Sequence, residues 1–382
     1  MAPYDRILQP PKASFFLLGP RGTGKSTWAR DEFPGAKRFD LLDENLYHEF
    51  LAAPGLFADE LRRLARGAWV VVDEVQRVPG LLNEVHRAIE ELRLRFVLLG
   101  SSARKLKTAG TNLLAGRATW KRMYPFVPAE LRADFSLDEV LRHGSLPLVW
   151  AAADKKATLQ AYVQLYLKEE IRSEALVRNL PGFARFLPLA ALFHGQTLNI
   201  ASLARDSATA RTTIAGYLDI LEETLLATRL PAFEAKLRVR ERKHPKLYWV
   251  DPGVVRALKK QLGPVTHEER ATLLEGFVHG LLRAHGETQE LFDELAYWAP
   301  AQGKLEVDFL LQREKRFLAL EVKSGRKLVP EMLTGLRAIA DLKGLARRIL
   351  VYGGERSLRT EDGVDVWPVP ELARALAEEQ LW

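Results

Sequence analysis

Two groups of residues near the N-terminus have the types and spacing to handle a nucleotide. Gly19-Pro20-Arg21-Gly22-Thr23-Gly24-Lys25-Ser26 has two glycines five apart, followed at once by a lysine and a hydroxyl. Glycines let such a loop wrap with its N–H groups turned inward on phosphates, and the helix that follows adds its dipole. The pattern assigns Gly19, Pro20, Arg21, Gly22, Thr23, Gly24, Lys25, Ser26 and Thr27 to holding ATP, with Lys25 on the β- and γ-phosphates and the Ser26 hydroxyl on Mg²⁺. The second group is Asp73-Glu74, two acids that close the apolar run Val70-Val71-Val72. A buried strand ending this way brings carboxylates to the edge where the phosphate loop lies. Asp73 is then expected to hold Mg²⁺ through its water shell, and Glu74 to act as the catalytic base on the attacking water. After a third apolar run, Phe96 to Leu99, Ser101 is placed to sense the γ-phosphate. Arg104 and Arg117 are candidates for a charge-stabilising catalytic arginine, either of which could serve a neighbouring subunit.

A separate constellation lies near the C-terminus. Asp308 falls on one apolar run and Glu321-Val322-Lys323 on the next, with Glu275 on a preceding helical stretch. On neighbouring strands Asp308 and Glu321 converge and Lys323, two residues on, faces the same side. This is the Asp…Glu-x-Lys pattern of Mg²⁺-dependent nucleases. Glu275, Asp308 and Glu321 would be the metal ligands, and Lys323 would orient or deprotonate water. The alternative is a retired nuclease fold whose charges form a structural ion-pair cluster.

A third set is basic. Lys236, Arg238, Arg240 and Arg242 share a face if their segment is extended, and Arg211 opens a helical stretch. Together they could grip DNA phosphates without reading bases, since Thr209 to Tyr217 is rich in small side chains. The alternative is a packing module with a solvated basic face.

The elements that must position these residues fall into three segments. Residues 1–150 alternate buried β-runs with helical stretches such as Ala58 to Arg66 and Leu81 to Leu92, which predicts a three-layer α/β domain with a parallel sheet. Residues 151–262 read as mainly helical, beginning with Lys155 to Ala175. There a short helix (Ile200 to Arg205), a turn (Asp206 to Ala208) and a longer helix (Thr209 to Leu226) have helix-turn-helix spacing. Residues 263–382 read as a helix (Glu269 to Ala284), three strands (Leu295–Trp298, Lys304–Leu311, Phe317–Val322), a helix (Pro330 to Leu342), two strands (Arg348 to Tyr352, Val364 to Trp367) and a last helix.

Composition narrows the chemistry. The chain has 382 residues, 27% of them charged, and no cysteine, so disulfides, thiol catalysis and zinc-cysteine sites are excluded. A net charge of +7 favours an acidic partner such as nucleic acid. No stretch is apolar enough to span a membrane, and Met1 to Pro11 lacks the apolar core of a secretory signal, so a cytoplasmic location is expected.

Taken together, these motifs resemble the AAA-type P-loop ATPases of bacteria and archaea that carry a C-terminal domain of unknown function. The resemblance rests on Gly19–Ser26, Asp73-Glu74-Val75-Gln76, Gly100-Ser101-Ser102-Ala103-Arg104 and Leu114-Ala115-Gly116-Arg117. It continues through Tyr166-Leu167-Lys168-Glu169-Glu170-Ile171, Pro245 to Gly253, Leu274 to Val278 and Glu306 to Phe309. It implies a P-loop ATPase domain, a winged-helix middle and an α/β C-terminal domain similar to the restriction-endonuclease fold. By analogy it also implies a homo-oligomeric ring. The sequence departs from the family where Pro252 and Gly276 replace a small polar residue and an asparagine, and where Gly144-Ser145-Leu146-Pro147-Leu148 lacks the usual second glycine and acid.

Overall fold

An apolar strand with no polar face must be covered on both sides, and Phe15–Leu18 (β1) is buried at every position. In the computed structural model, which describes residues 4–102, 114–166, 179–233, 244–300 and 305–382, β1 lies inside a five-stranded sheet. Its companions are Lys37–Asp40 (β2), Trp69–Asp73 (β3), Arg95–Gly100 (β4) and Thr119–Arg122 (β5). The order is β2-β3-β4-β1-β5 and every pairing is parallel. Alternation along the strands sends Phe16, Leu18, Val70, Val72, Phe96 and Leu98 to one core and Phe15, Leu17, Val71, Val97 and Leu99 to another. Helix Leu81–Glu91 and residues Phe50 and Phe57 close the first face, and Trp28 and Phe33 close the second. The apolar runs thus become the three inner strands. The sheet edges, β2 and β5, are mostly polar and exposed, and so carry no apolar signal in the sequence.

Further along, helix Leu180–Leu192 leads to the short strand Gln196–Thr197 (β6). Helices Ile200–Asp206 and Arg211–Glu223 follow, and then strands Ala227–Leu230 (β7) and Lys246–Trp249 (β8). The strands form an antiparallel sheet in the order β6-β8-β7. The first of the paired helices starts where the Asn199 side chain caps the Ser202 N–H at 3.0 Å.

Helix His267–Gln289 opens the C-terminal segment behind a reciprocal cap between Thr266 and Glu269. Strands Glu294–Trp298 (β9), Val307–Arg313 (β10), Arg316–Lys323 (β11), Leu345–Tyr352 (β12), Leu358–Arg359 (β13) and Asp365–Pro368 (β14) make a six-stranded sheet in the order β13-β14-β12-β11-β10-β9. The β9-β10-β11 meander is antiparallel, and β11, β12 and β14 run parallel. The helix expected over Pro330 to Leu342 is shorter, a 3₁₀ turn Pro330–Leu333 followed by helix Thr334–Ala338.

Packing divides the chain into two compact units rather than the three expected segments: Leu8–Tyr124 with Glu223–Leu226, and Met1–Ile7 with Pro125–Glu222 and Ala227–Trp382. The middle and C-terminal segments merge because they share buried polar ties. Lys246 of β8 pairs with carboxylates of the C-terminal segment, and Arg283 donates to the Thr228 hydroxyl at 2.7 Å. The stretch after residue 124 joins them because Asp251 accepts the Ser145 N–H at 2.7 Å and the buried Arg256 donates to the Arg142 carbonyl at 2.9 Å.

Candidate active site

The phosphate loop follows β1 directly. Gly22 (φ 84°) and Gly24 (φ 85°) adopt left-handed backbone, which lets the loop reverse before helix Lys25–Glu32. Gly19 is required for a different reason: a Cβ there would stand 2.5 Å from the Met123 carbonyl oxygen. Thr23 Oγ1 closes the turn by donating to the Pro20 carbonyl at 2.8 Å. The Lys25 ammonium is buried and bends back over its own loop, donating to the carbonyls of Gly19 (2.7 Å) and Pro20 (3.2 Å). The cation therefore sits inside the ring of backbone that would receive phosphates.

β3 brings Asp73 to the same edge of the sheet. Burial pushes its carboxyl up from the ordinary range, a hydrogen bond with Ser26 acts the other way, and neighbouring Glu74 pushes it up further. Glu74 has φ 54°, a conformation that L-residues other than glycine rarely adopt and that clusters at functional sites. This kink launches the 3₁₀ turn Val75–Arg77, and the turn sends Gln76 back towards the sheet. The Gln76 amide nitrogen donates both to Glu74 Oε2 and to Ser101 Oγ, the latter at 3.1 Å. Gln76 and Ser101 are both buried. Gly100 makes room for this bridge, since a Cβ there would lie 2.6 Å from Gln76 Oε1. The sequence reading gave Gln76 no role. Its one signal was a lone amide in the turn just after the acid pair.

The hydroxyl of Ser26, half-buried Asp73 and the cradle around Lys25 fit an ATP–Mg²⁺ group: Gly19 to Thr27 would hold phosphates, and Ser26 and Asp73 the metal. Arg117 does not join them. It precedes β5, whose Thr119 aligns with Phe15 at the start of β1, so it sits at the sheet edge opposite the loop, paired with Glu90 at 2.5 Å. That excludes it from this chain's own phosphate site. Arg122, in register with Leu18, stands at the loop's edge of the sheet. Arg104 lies outside the described residues.

At the C-terminal constellation β10 and β11 bring Asp308 and Glu321 together as expected, and both are buried. Their oxygens, however, are taken by the protein itself. Asp308 Oδ2 accepts the Val322 N–H (2.9 Å), and Glu321 Oε2 accepts the Asp308 N–H (3.2 Å). Lys323 ion-pairs with Glu321 Oε1. Burial alone would lower the Lys323 ammonium, but Glu321 and Asp308 outweigh it and hold the group raised, which makes it a cation rather than a base. A residue not foreseen completes the group. Lys246 Nζ lies 3.1 Å from Glu275, 3.1 Å from Glu306 and 3.2 Å from Asp308, with its side chain only 3% exposed. Tyr248, on the same strand, donates its hydroxyl to Glu275. Burial and nearby Asp308 push the Glu275 carboxyl up to about 7. Among the described residues no three His, Asp or Glu side chains are arranged to hold a metal ion.

Of the expected nucleic-acid contacts, Arg211 is exposed at the start of helix Arg211–Glu223. Lys236, Arg238, Arg240 and Arg242 lie outside the described residues.

Residues 12–132 match the family described as AAA domain, residues 134–264 a domain of unknown function (DUF8612), and residues 270–372 another (DUF4143). Uncharacterized protein Rv2008c of Mycobacterium tuberculosis is 27% identical over 375 residues, covering 96% of this chain and 82% of that protein. An uncharacterized Haemophilus influenzae protein is 23% identical over 319 residues, covering 78% of this chain and 75% of its own length. Among solved structures, protein VC1899 of Vibrio cholerae aligns over 96% of both chains at 14% identity and TM-score 0.23. The STAND protein PH0952 of Pyrococcus horikoshii aligns over 76% of this chain and 50% of its own, at 14% identity and TM-score 0.26. Structural likenesses this weak carry no functional argument. No helix among the described residues is long and apolar enough to cross a membrane. The match of residues 12–132 to the AAA domain family falls on the part of the chain where a phosphate loop and an acid-tipped strand share one sheet edge, the arrangement of a P-loop nucleotide-binding domain.

Proposed function

We propose that the chain hydrolyses ATP and uses the cycle to control its hold on DNA. The observation that carries the first half is the Gln76 bridge, which ties the Glu74 carboxylate to Ser101 at the phosphate edge of the sheet. A protein that only bound nucleotide would have no use for a carboxylate held on a kinked backbone beside the loop. Lys25 would turn from its loop carbonyls to phosphate oxygens, and Ser26 and Asp73 would hold Mg²⁺, which would neutralise phosphate charge. Glu74 orients and polarises the attacking water, with Gln76 fixing the carboxylate and Ser101 reporting the state of the γ-phosphate.

The DNA half rests on the +7 charge and on the order helix, strand, helix, helix, strand, strand from Leu180 to Trp249, which suits a winged helix with Arg211 exposed. The α-β-β-β-α-β order from His267 to Tyr352 suits a restriction-endonuclease-like domain. Of the two roles open to that domain, cutting or holding, the ion pairs of Lys246 favour holding. A ring of subunits would let Arg117 serve a neighbour's site.

Glu74→Gln tests the reading. It should keep ATP binding and lose turnover by about 10²- to 10⁴-fold; unchanged hydrolysis sinks the assignment. DNA binding should weaken steeply with salt and when Arg238, Arg240 and Arg242 are neutralised, and indifference to both would remove DNA from the proposal.

A further inference from the structure

We propose that Lys246 is an internal counter-ion seated where the Asp…Glu-x-Lys pattern calls for a divalent cation, so that the carboxylate cluster is a metal-free latch fastening β8 to the β10–β11 hairpin.

Three observations converge on this. The ammonium touches Glu275, Asp308 and Glu306 at 3.1–3.2 Å, and two of these, Glu275 and Asp308, are expected metal ligands. Both oxygens of Asp308 and both of Glu321 are already engaged, by Lys246, Val322 N–H, Asp308 N–H and Lys323. A metal the size of Mg²⁺ demands oxygens at about 2.0–2.1 Å in near-octahedral array. It could not gather them without first expelling a buried ammonium of like charge. Finally, Lys246 is held in place from its own strand. β8 pairs with β6 and β7, and Tyr248, two residues on and so on the same face, also binds Glu275. A lysine and a tyrosine from one strand thus clasp a carboxylate on the long helix, and the lysine continues to Asp308 on β10.

The inference does not depend on the ATP site, so it is tested on the full chain without nucleotide or DNA. Uptake of Mn²⁺ is measured by electron paramagnetic resonance on the wild type and on Asp308→Asn. The two should be indistinguishable, and melting should not respond to EDTA. Wild-type uptake that Asp308→Asn abolishes overturns the proposal whatever the other variants do. Lys246→Met keeps the apolar stem and removes the charge. It should lower the melting temperature and gain Mn²⁺ uptake that is lost again with Asp308→Asn. A folded Lys246→Met that gains no uptake also overturns it. Should Lys246→Met alone fail to fold, the Lys246→Met/Asp308→Asn pair should regain folded protein because it removes one charge of each sign, and the wild-type measurement still decides.

Discussion

The amide nitrogen of Gln76 stands 3.1 Å from the hydroxyl of Ser101, and the same nitrogen binds the carboxylate of Glu74. One buried side chain thereby couples Glu74, the proposed base, to Ser101, just past the end of the next strand. Gln76→Ala should lower kcat for ATP hydrolysis by about 10- to 100-fold, since a loosely held base loses alignment, while KM moves little. Steady-state kinetics with a melting curve would check this. A variant that lost stability but kept kcat would show that Gln76 only fills space.

Gly276 lies in helix His267–Gln289 where a Cβ would stand 2.0 Å from His194 Nε2. An ordinary helical Gly→Ala change stabilises by about 1 kcal/mol. Here Gly276→Ala should instead destabilise by about 1–3 kcal/mol, because the buried imidazole cannot yield. Urea unfolding of Gly276→Ala, His194→Ala and the double variant should reveal coupling between the two sites. A neutral or stabilising Gly276→Ala would contradict the packing described.

His194 also governs how the second unit responds to acid. Its Nδ1 accepts the Trp249 N–H at 3.1 Å, so the ring is neutral, and burial pushes its pKa down to about 3. Below pH 6.5 the unfolded chain takes up a proton that the folded chain refuses. Stability should therefore fall as pH drops from 6.5 towards 3, by about 1.4 kcal/mol per unit for this one group, and be unaffected by it above 6.5. Asp251 works in the opposite sense: burial pushes its carboxyl up to about 6, so between 6 and 3.8 the folded chain binds the extra proton and gains stability as pH falls. Comparing wild type with His194→Asn isolates the histidine. The variant should show a shallower acid dependence in urea titrations at pH 7, 6 and 5, and parallel curves would refute it.

Sequence alone reached the phosphate loop and the acid pair because both are set by local backbone demands: glycines where the chain must turn left-handed, and acids at the tip of an apolar strand. The three inner strands were legible for the same reason, while polar β2 and β5 were not. Gln76 and Lys246 escaped because their residue types and sequence neighbours assign them no partner. Gln76 matters through a kink at Glu74 that no residue type announces, and Lys246 matters through carboxylates between 29 and 62 positions away. Asp308, Glu321 and Lys323 do lie together, and Lys246, 62 positions before Asp308, pairs with that carboxylate in a contact that no local pattern announces. Gly276, a departure from the family pattern, makes sense only beside His194.

The interleaving of the two units bears on how the chain is made. Arg6 pairs with buried Glu130 at 2.9 Å, and Glu130 also accepts the Ile7 N–H, so this stretch finds its partners only after Tyr124 has emerged from the ribosome. The nucleotide-binding unit, in turn, waits for Glu223–Leu226, whose Leu225 packs against its core. Domains usually condense in order as they leave the ribosome. Here each unit is finished with a thread from the other's stretch of sequence, so neither can be released as one uninterrupted, fully packed fragment by a single pair of cuts.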